Sequence, residues 1–239
     1  QWNSDHLLAE EIVKDLQNQL EETGGPIFSF SVSYQNHGPY ETDRTGNEIY
    51  LDPETCGLPE ESCHIFNNYL HGINMTISAM TTLAQTLEEM EEPVVLVLFG
   101  DHKPWGGNGN SAYAGIGASF DLSTKEGFYQ YYATPYLIWA NSAAKEALNQ
   151  DFQGEGGDFS PCFLMNELFR QCGWTGPAFL QYAETIRALT PLVHTQQLYL
   201  DPEGALTSDL PESVRERLLE YQWVQYYREY EVEPAGAAP

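Results

Sequence analysis

The stretch Pro93 to His102, PVVLVLFGDH, constrains this chain more than any other. Five apolar residues run unbroken from Val94 to Leu98, and their β-branched valines favour extended backbone. The run is too short for a buried helix and is bracketed by Pro93 and Gly100, so it predicts a central strand covered on both faces. It ends in Gly100, Asp101 and His102, a hard oxygen donor beside an imidazole. Ligands gather at the carboxyl ends of strands in open α/β sheets, so Asp-His at a strand exit suits a metal site. Alone, the same tripeptide suits a plain turn equally well.

Composition narrows the partners. The 239 residues hold 10 Lys and Arg against 35 Asp and Glu, a formal net charge of −25. Such a surface repels phosphate backbones and anionic lipid headgroups, which disfavours charge-driven nucleic-acid binding, and it attracts divalent cations. Hydrophobic content of 42% and aromatic content of 13% exclude wholesale disorder. No run approaches the eighteen or so apolar residues of a spanning helix, and no basic-then-apolar leader opens the chain. A start at Gln1 suggests a fragment or a processed product. Cys56 and Cys63 close a short loop, CGLPEESC, and could pair in an oxidising compartment. Neither they nor Cys162 and Cys172 have C-x-x-C spacing, so buried or free thiols are the simpler expectation.

In chain order, Leu7, Leu8, Ile12, Val13, Leu16 and Leu20 lie at helical spacing, with Ser4 as N-cap and Gly24-Gly25-Pro26 as the stop. Pro26 to Tyr34, PIFSFSVSY, alternates as a strand does and exits into Asn36-His37-Gly38-Pro39, where Gly-Pro turns the chain sharply. Thr42 to Glu61 is a polar surface excursion. A long helix over Glu61 to Glu91 carries a stripe of Ile65, Tyr69, Ile73, Ile77, Met80, Leu83 and Leu87. His64 and His71 on it receive no role, and the sequon Asn74-Met75-Thr76 inside a helix is weak. Strand, long helix and strand predict a right-handed crossover with parallel pairing. Lys103 to Asn110 reads as a mobile glycine-rich loop that lacks the ending of a phosphate-binding loop. Phe128 to Tyr132 ends a helix, Thr134 to Ala140 forms a third strand, and Asn141-Ser142 caps a helix over Ala143 to Asn149. Helices follow over Ser160 to Cys172 and Phe179 to Leu189, then a short strand at Leu198-Tyr199-Leu200. Ser213 to Tyr230 reads as helix mixed with aromatic-rich strand, and Glu233 to Pro239 as tail.

Two strands thus deliver Asn36-His37 and Asp101-His102, and parallel pairing would bring both histidines to one sheet edge. Together FSFSVSYQNHGPY, VVLVLFGDHKPW and YATPYLIWAN resemble the carboxyl-terminal part of the lipoteichoic acid synthase and phosphoglycerol transferase group. That group sits in the sulfatase branch of the alkaline phosphatase superfamily. The resemblance runs from Trp2-Asn3-Ser4-Asp5 to near Asn141.

The resemblance implies an α/β fold: a partial alkaline phosphatase/sulfatase-like sheet with flanking helices and a small carboxyl-terminal α+β subdomain. Residues 1–150 would belong to the catalytic core, 151–232 to the subdomain and 233–239 to a flexible tail. Asp101 and His102 would match the family's metal-binding pair, and His37 its active-site histidine that contacts the phosphate or leaving group. The implied cofactor is a divalent metal, manganese-like, in mixed carboxylate and imidazole ligation. The implied substrate is a glycerophosphate-containing lipid or glycan, attacked by a threonine through a covalent phospho-enzyme. No threonine here fits that role, Thr42 and Thr45 included. The expectation is a chain lacking its nucleophile and amino-terminal half, inactive alone and a weak metal binder. Its parent would act at the extracellular face of a bacterial membrane, held there by an upstream segment. Another sulfatase or phosphodiesterase activity, or a non-catalytic binding module that keeps the fold, are the competing readings.

Overall fold

The computed structural model describes residues 4–201 and 203–230; the expected tail over 233–239 lies outside them. Two compact units divide between Ala147 and Leu148.

The first unit opens with α1 (Asp5–Thr23), entered through Ser4 in extended backbone and stopped by Gly24, whose φ of 59° is left-handed. It packs along α2 (Glu60–Glu88). The expected periodicity accounts for the join: Ala9, Leu83 and Leu87 are buried, with Ile12, Val13, Leu16 and Met80 against them. Val94, Leu96 and Trp139 extend this cluster onto a ladder of β1 (Val95–Phe99) and β2 (Tyr136–Ala140). Between those strands lie α3 (Ser111–Gly115) and α4 (Lys125–Tyr132), the latter capped by the Thr124 hydroxyl, which accepts from the Gly127 N–H.

Several expectations fail in this unit. β1 is no central strand covered on both faces: it pairs antiparallel with β2 alone among the described residues and is only partly covered, with Phe99 exposed. Pro26 to Tyr34 forms no ladder, so the parallel pairing expected across the long helix is absent. The alternation is real but has no partner, and Phe28, Phe30, Val32 and Tyr34 stand 60–76% exposed. Cys56 and Cys63 form a disulfide, while Cys162 and Cys172 are free thiols.

Asn141 ties the frame together. It is fully buried; its Oδ1 accepts from the N–H groups of Val94 and Ala144, both at 2.9 Å, and its Nδ2 faces the carbonyls of Leu87, Met90 and Glu92. One carboxamide therefore satisfies the end of α2, the entry to β1 and the start of α5 (Ser142–Leu148), which is the cap expected there.

The second unit holds α6 (Leu164–Gln171), α7 (Ala178–Arg187), a small antiparallel sheet of β3 (Val193–His194), β4 (Leu198–Leu200) and β5 (Leu206–Thr207), and α8 (Glu212–Tyr230). The mixed helix and strand expected over Ser213 to Tyr230 is one helix. Its aromatics favour strands, but Val214, Leu218 and Tyr221 recur at helical spacing and are buried with Phe163, Ala183 and Ile186. Mixed α and β content in both units agrees with a partial sulfatase-like α/β fold.

Candidate active site

Two turns meet at the site. The first spans Tyr34 to Tyr40: the His37 N–H donates to the Tyr34 carbonyl at 3.1 Å, and Gly38-Pro39 is cis. Asn36 seats this turn on α2, where Gly72 leaves it room; a Cβ there would stand 1.8 Å from the Asn36 Oδ1. The Tyr40 hydroxyl donates to the Asn36 carbonyl at 2.8 Å, and its ring packs against Tyr69 of α2 and Trp105. Burial pushes the Tyr40 and Tyr69 phenols up, so both stay neutral hydroxyls.

The second turn follows β1. The Thr134 hydroxyl donates to the Gly100 carbonyl at 2.6 Å, and the Asp101 Oδ1 accepts from the His102 N–H at 2.9 Å. Beyond it, the expected mobile loop is a packed one. Gly106 and Gly107 are buried, and a Cβ on either would strike Tyr113 or Ser111. The Tyr113 hydroxyl donates to the Pro104 carbonyl at 2.9 Å, and burial lifts its pKa to about 12. Trp105 then meets the first turn: a Cβ on Gly38 would lie 2.8 Å from the Trp105 Cβ. Only glycine allows that approach.

The interlock brings His37 and His102 together edge to face, ring centroids 5.9 Å apart, with Tyr34 stacked on His37 at 5.0 Å. The side chains meet through turn packing and not through a shared parallel sheet. The His37 Nδ1 lies 2.6 Å from the Gly38 carbonyl and the His102 Nδ1 lies 2.7 Å from the Lys103 carbonyl. A carbonyl only accepts, so each Nδ1 carries the proton and each Nε2 presents a lone pair. The Asp101 Oδ2 is 3.7 Å from the His102 Nε2, and both side chains are mostly exposed.

The donor chemistry of Asp101 and His102 fits a divalent ion: one carboxylate and one imidazole whose tautomer is set by a backbone carbonyl, as in metal-binding histidines. Among the described residues, no group of three or more His, Cys, Asp or Glu side chains is arranged to hold an ion. Asp101 and His102 are therefore an incomplete ligand set, with His37 beside them. His64 instead faces Glu60 at 3.6 Å, and Thr45 donates to Asn68, so neither joins the site. Sequence reasoning missed Tyr34, Trp105 and Gly72; only the glycine and aromatic neighbours of the two histidines hinted at them.

The chain is 27% identical over 176 residues to a protein of Rhizobium meliloti (strain 1021) named "Putative cyclic beta-1,2-glucan modification protein", covering 71% of this chain and 26% of that protein. An uncharacterized protein of Haemophilus influenzae (strain ATCC 51907 / DSM 11121 / KW20 / Rd) is 27% identical over 137 residues, 56% of this chain and 22% of its own length. The chain thus spans about a quarter of the length of these relatives. No solved structure gives a significant match. The sulfatase family profile matches residues 1–168, both turns of the site included, and the chain belongs to the sulfatase family.

Proposed function

We propose that this chain forms one wall of the active centre of a metal-dependent phosphoglycerol transferase that moves glycerophosphate from a phosphodiester donor to a glycan. The observation that carries the reading is the convergence of His37 with Asp101-His102 from two separate turns, both imidazoles offering Nε2. Family membership supports phosphodiester or sulfate-ester chemistry in general, and the name of the Rhizobium relative supports a glucan as the modified molecule.

Asp101 and His102 would hold a divalent ion, manganese in this reading, with further donors from outside the described residues. Bound there, the ion supplies positive charge against the phosphoryl oxygens. His37 stands beside that position with Nδ1 held by the Gly38 carbonyl, so its Nε2 lone pair faces the reaction and, once it has taken up a proton from water, can pass that proton to the departing alkoxide. The threonine nucleophile belongs to another part of the protein, which the quarter-length coverage of the relatives accommodates. A setting on the outer face of a bacterial membrane suits the Cys56–Cys63 disulfide. Among the described residues no helix is long and apolar enough to cross a membrane, so attachment falls to another segment.

The test is phosphoglycerol transfer by the full-length protein with Mn²⁺ present. His37→Ala lowers kcat at least ~100-fold while Mn²⁺ still binds, in line with loss of a general acid. Turnover of a sulfate ester in place of the phosphodiester, or unchanged kcat in the variant, contradicts the reading.

A further inference from the structure

The second unit carries a cleft of 330 Å³ between α6 and α7, for which the site above has no use. Its rim is built rigidly. Helix α6 ends in a paired-hydrogen-bond stop: the Gly173 N–H donates to the Arg170 carbonyl and the Trp174 N–H to the Phe169 carbonyl, with Gly173 at φ 69°. That stop sets the Trp174 ring edge to face on Phe169, centroids 5.3 Å apart, yet leaves Trp174 47% exposed over the cleft. Gln181 donates to the Gly176 carbonyl at 3.0 Å and pins the same loop from α7.

Two acceptors in the cleft lack donors. Asn166 is 5% exposed; its Nδ2 donates to the Leu180 carbonyl at 2.8 Å, while its Oδ1 is buried without a hydrogen-bond partner. Glu184, whose side chain is 44% exposed, pairs through Oε1 with Arg187, while its Oε2 atom is covered and has no hydrogen-bond partner. Buried acceptors are ordinarily satisfied, so two in one cleft ask for a ligand that donates. Arg170 and Glu184 cancel in formal charge, and the Arg170 guanidinium is already engaged by Glu167, so nothing favours an anion. The matching chemistry is neutral, rich in hydroxyl donors, and apolar on one face to lie on an indole.

We infer that this cleft is a saccharide-binding subsite, with one sugar ring stacked on Trp174 and its hydroxyls donating to Asn166 Oδ1 and Glu184 Oε2. The volume is at the small end of ligand pockets and suits one or two pyranose rings. All lining residues but Asn166 lie beyond the residues that the sulfatase profile matches. The choice of a glucose-based sugar rests on the glycan acceptor proposed above.

The test is calorimetric titration of the whole chain with sophorose, a β-1,2-linked glucose disaccharide, and separately with glycerol 1-phosphate. Saturable binding of sophorose alone is expected, weakened at least tenfold in Trp174→Ala and in Glu184→Ala. Both variants should keep the wild-type circular dichroism; if one does not fold, the other decides. No saturation at millimolar sugar, equal affinity in the folded variants, or preferential binding of glycerol 1-phosphate overturns the subsite. Mn²⁺ affinity in the same preparation reports on the first unit, so failure of the cleft is distinct from failure of the metal reading.

Discussion

At the residue scale, Gly38 decides how near His37 comes to His102. The Trp105 Cβ is anchored to backbone and cannot swing away, so Gly38→Ala forces the two turns apart. The expected cost is about 1–3 kcal/mol, the range of an overpacked core, read as a lower urea midpoint. Gly46→Ala is the control, since a Cβ there meets nothing within 4 Å, and it should be near neutral. Glu167 gives a second residue-scale prediction. Burial alone would raise its carboxyl, but hydrogen bonds from Arg170, Gln171 and Arg187 outweigh that and hold it at about 2, below its ordinary 4.5. A depressed folded pKa stabilises above the unfolded value and is lost as protons bind, so the second unit should weaken as pH falls from about 4.5 towards about 2. Glu167→Gln removes that pH dependence, and Glu167→Ala costs about 1.5–3 kcal/mol, since Arg187 loses one carboxylate partner but keeps Glu184. The sequence marks His37 at the end of an alternating stretch and Asp101-His102 at the end of an apolar run. Their spacing in three dimensions is not legible there, since it depends on Asn36 meeting Gly72 and Gly38 meeting Trp105 across long separations.

At the scale of elements, the long helix α2 and its partner α1 were readable from periodicity, which is local, and so was the Asn141 cap. Its second job was not readable, because three of its partners lie some fifty residues away. Asn141→Ala should cost about 3 kcal/mol, the sum of a lost N-cap and several orphaned backbone groups. Hydrogen exchange should show the entry to β1 and the first turn of α5 losing protection together; loss confined to α5 would reduce Asn141 to a simple cap. The failed strand over Pro26 to Tyr34 has the opposite cause. Alternation specifies how a strand presents its faces but supplies no neighbour, and no described strand pairs with it. The same limit misled the reading of α8, whose tyrosines fit a strand as well as a helix until Val214, Leu218 and Tyr221 have a core to face.

At the scale of the whole molecule, a formal charge of −25 concentrates cations around the protein and strengthens weak metal sites without improving their geometry. Raising NaCl from ~10 mM to ~0.5 M should therefore weaken Mn²⁺ binding several-fold, because the Debye length shrinks from about 30 Å to a few ångströms. That background must be separated from specific ligation, since any carboxylate removed from so acidic a chain lowers the field a little. Asp101 and His102, at the meeting of two turns within the residues of the sulfatase match, are the ligands proposed above. The most direct measurement is a Mn²⁺ titration of the wild type beside Asp101→Ala, His102→Ala and Asp43→Ala, the last removing the same charge from an exposed loop position. The account predicts roughly 10–100-fold weaker binding in the first two, the scale at which site residues act on metal affinity, and wild-type affinity in Asp43→Ala. Equal affinity in all four proteins would contradict it.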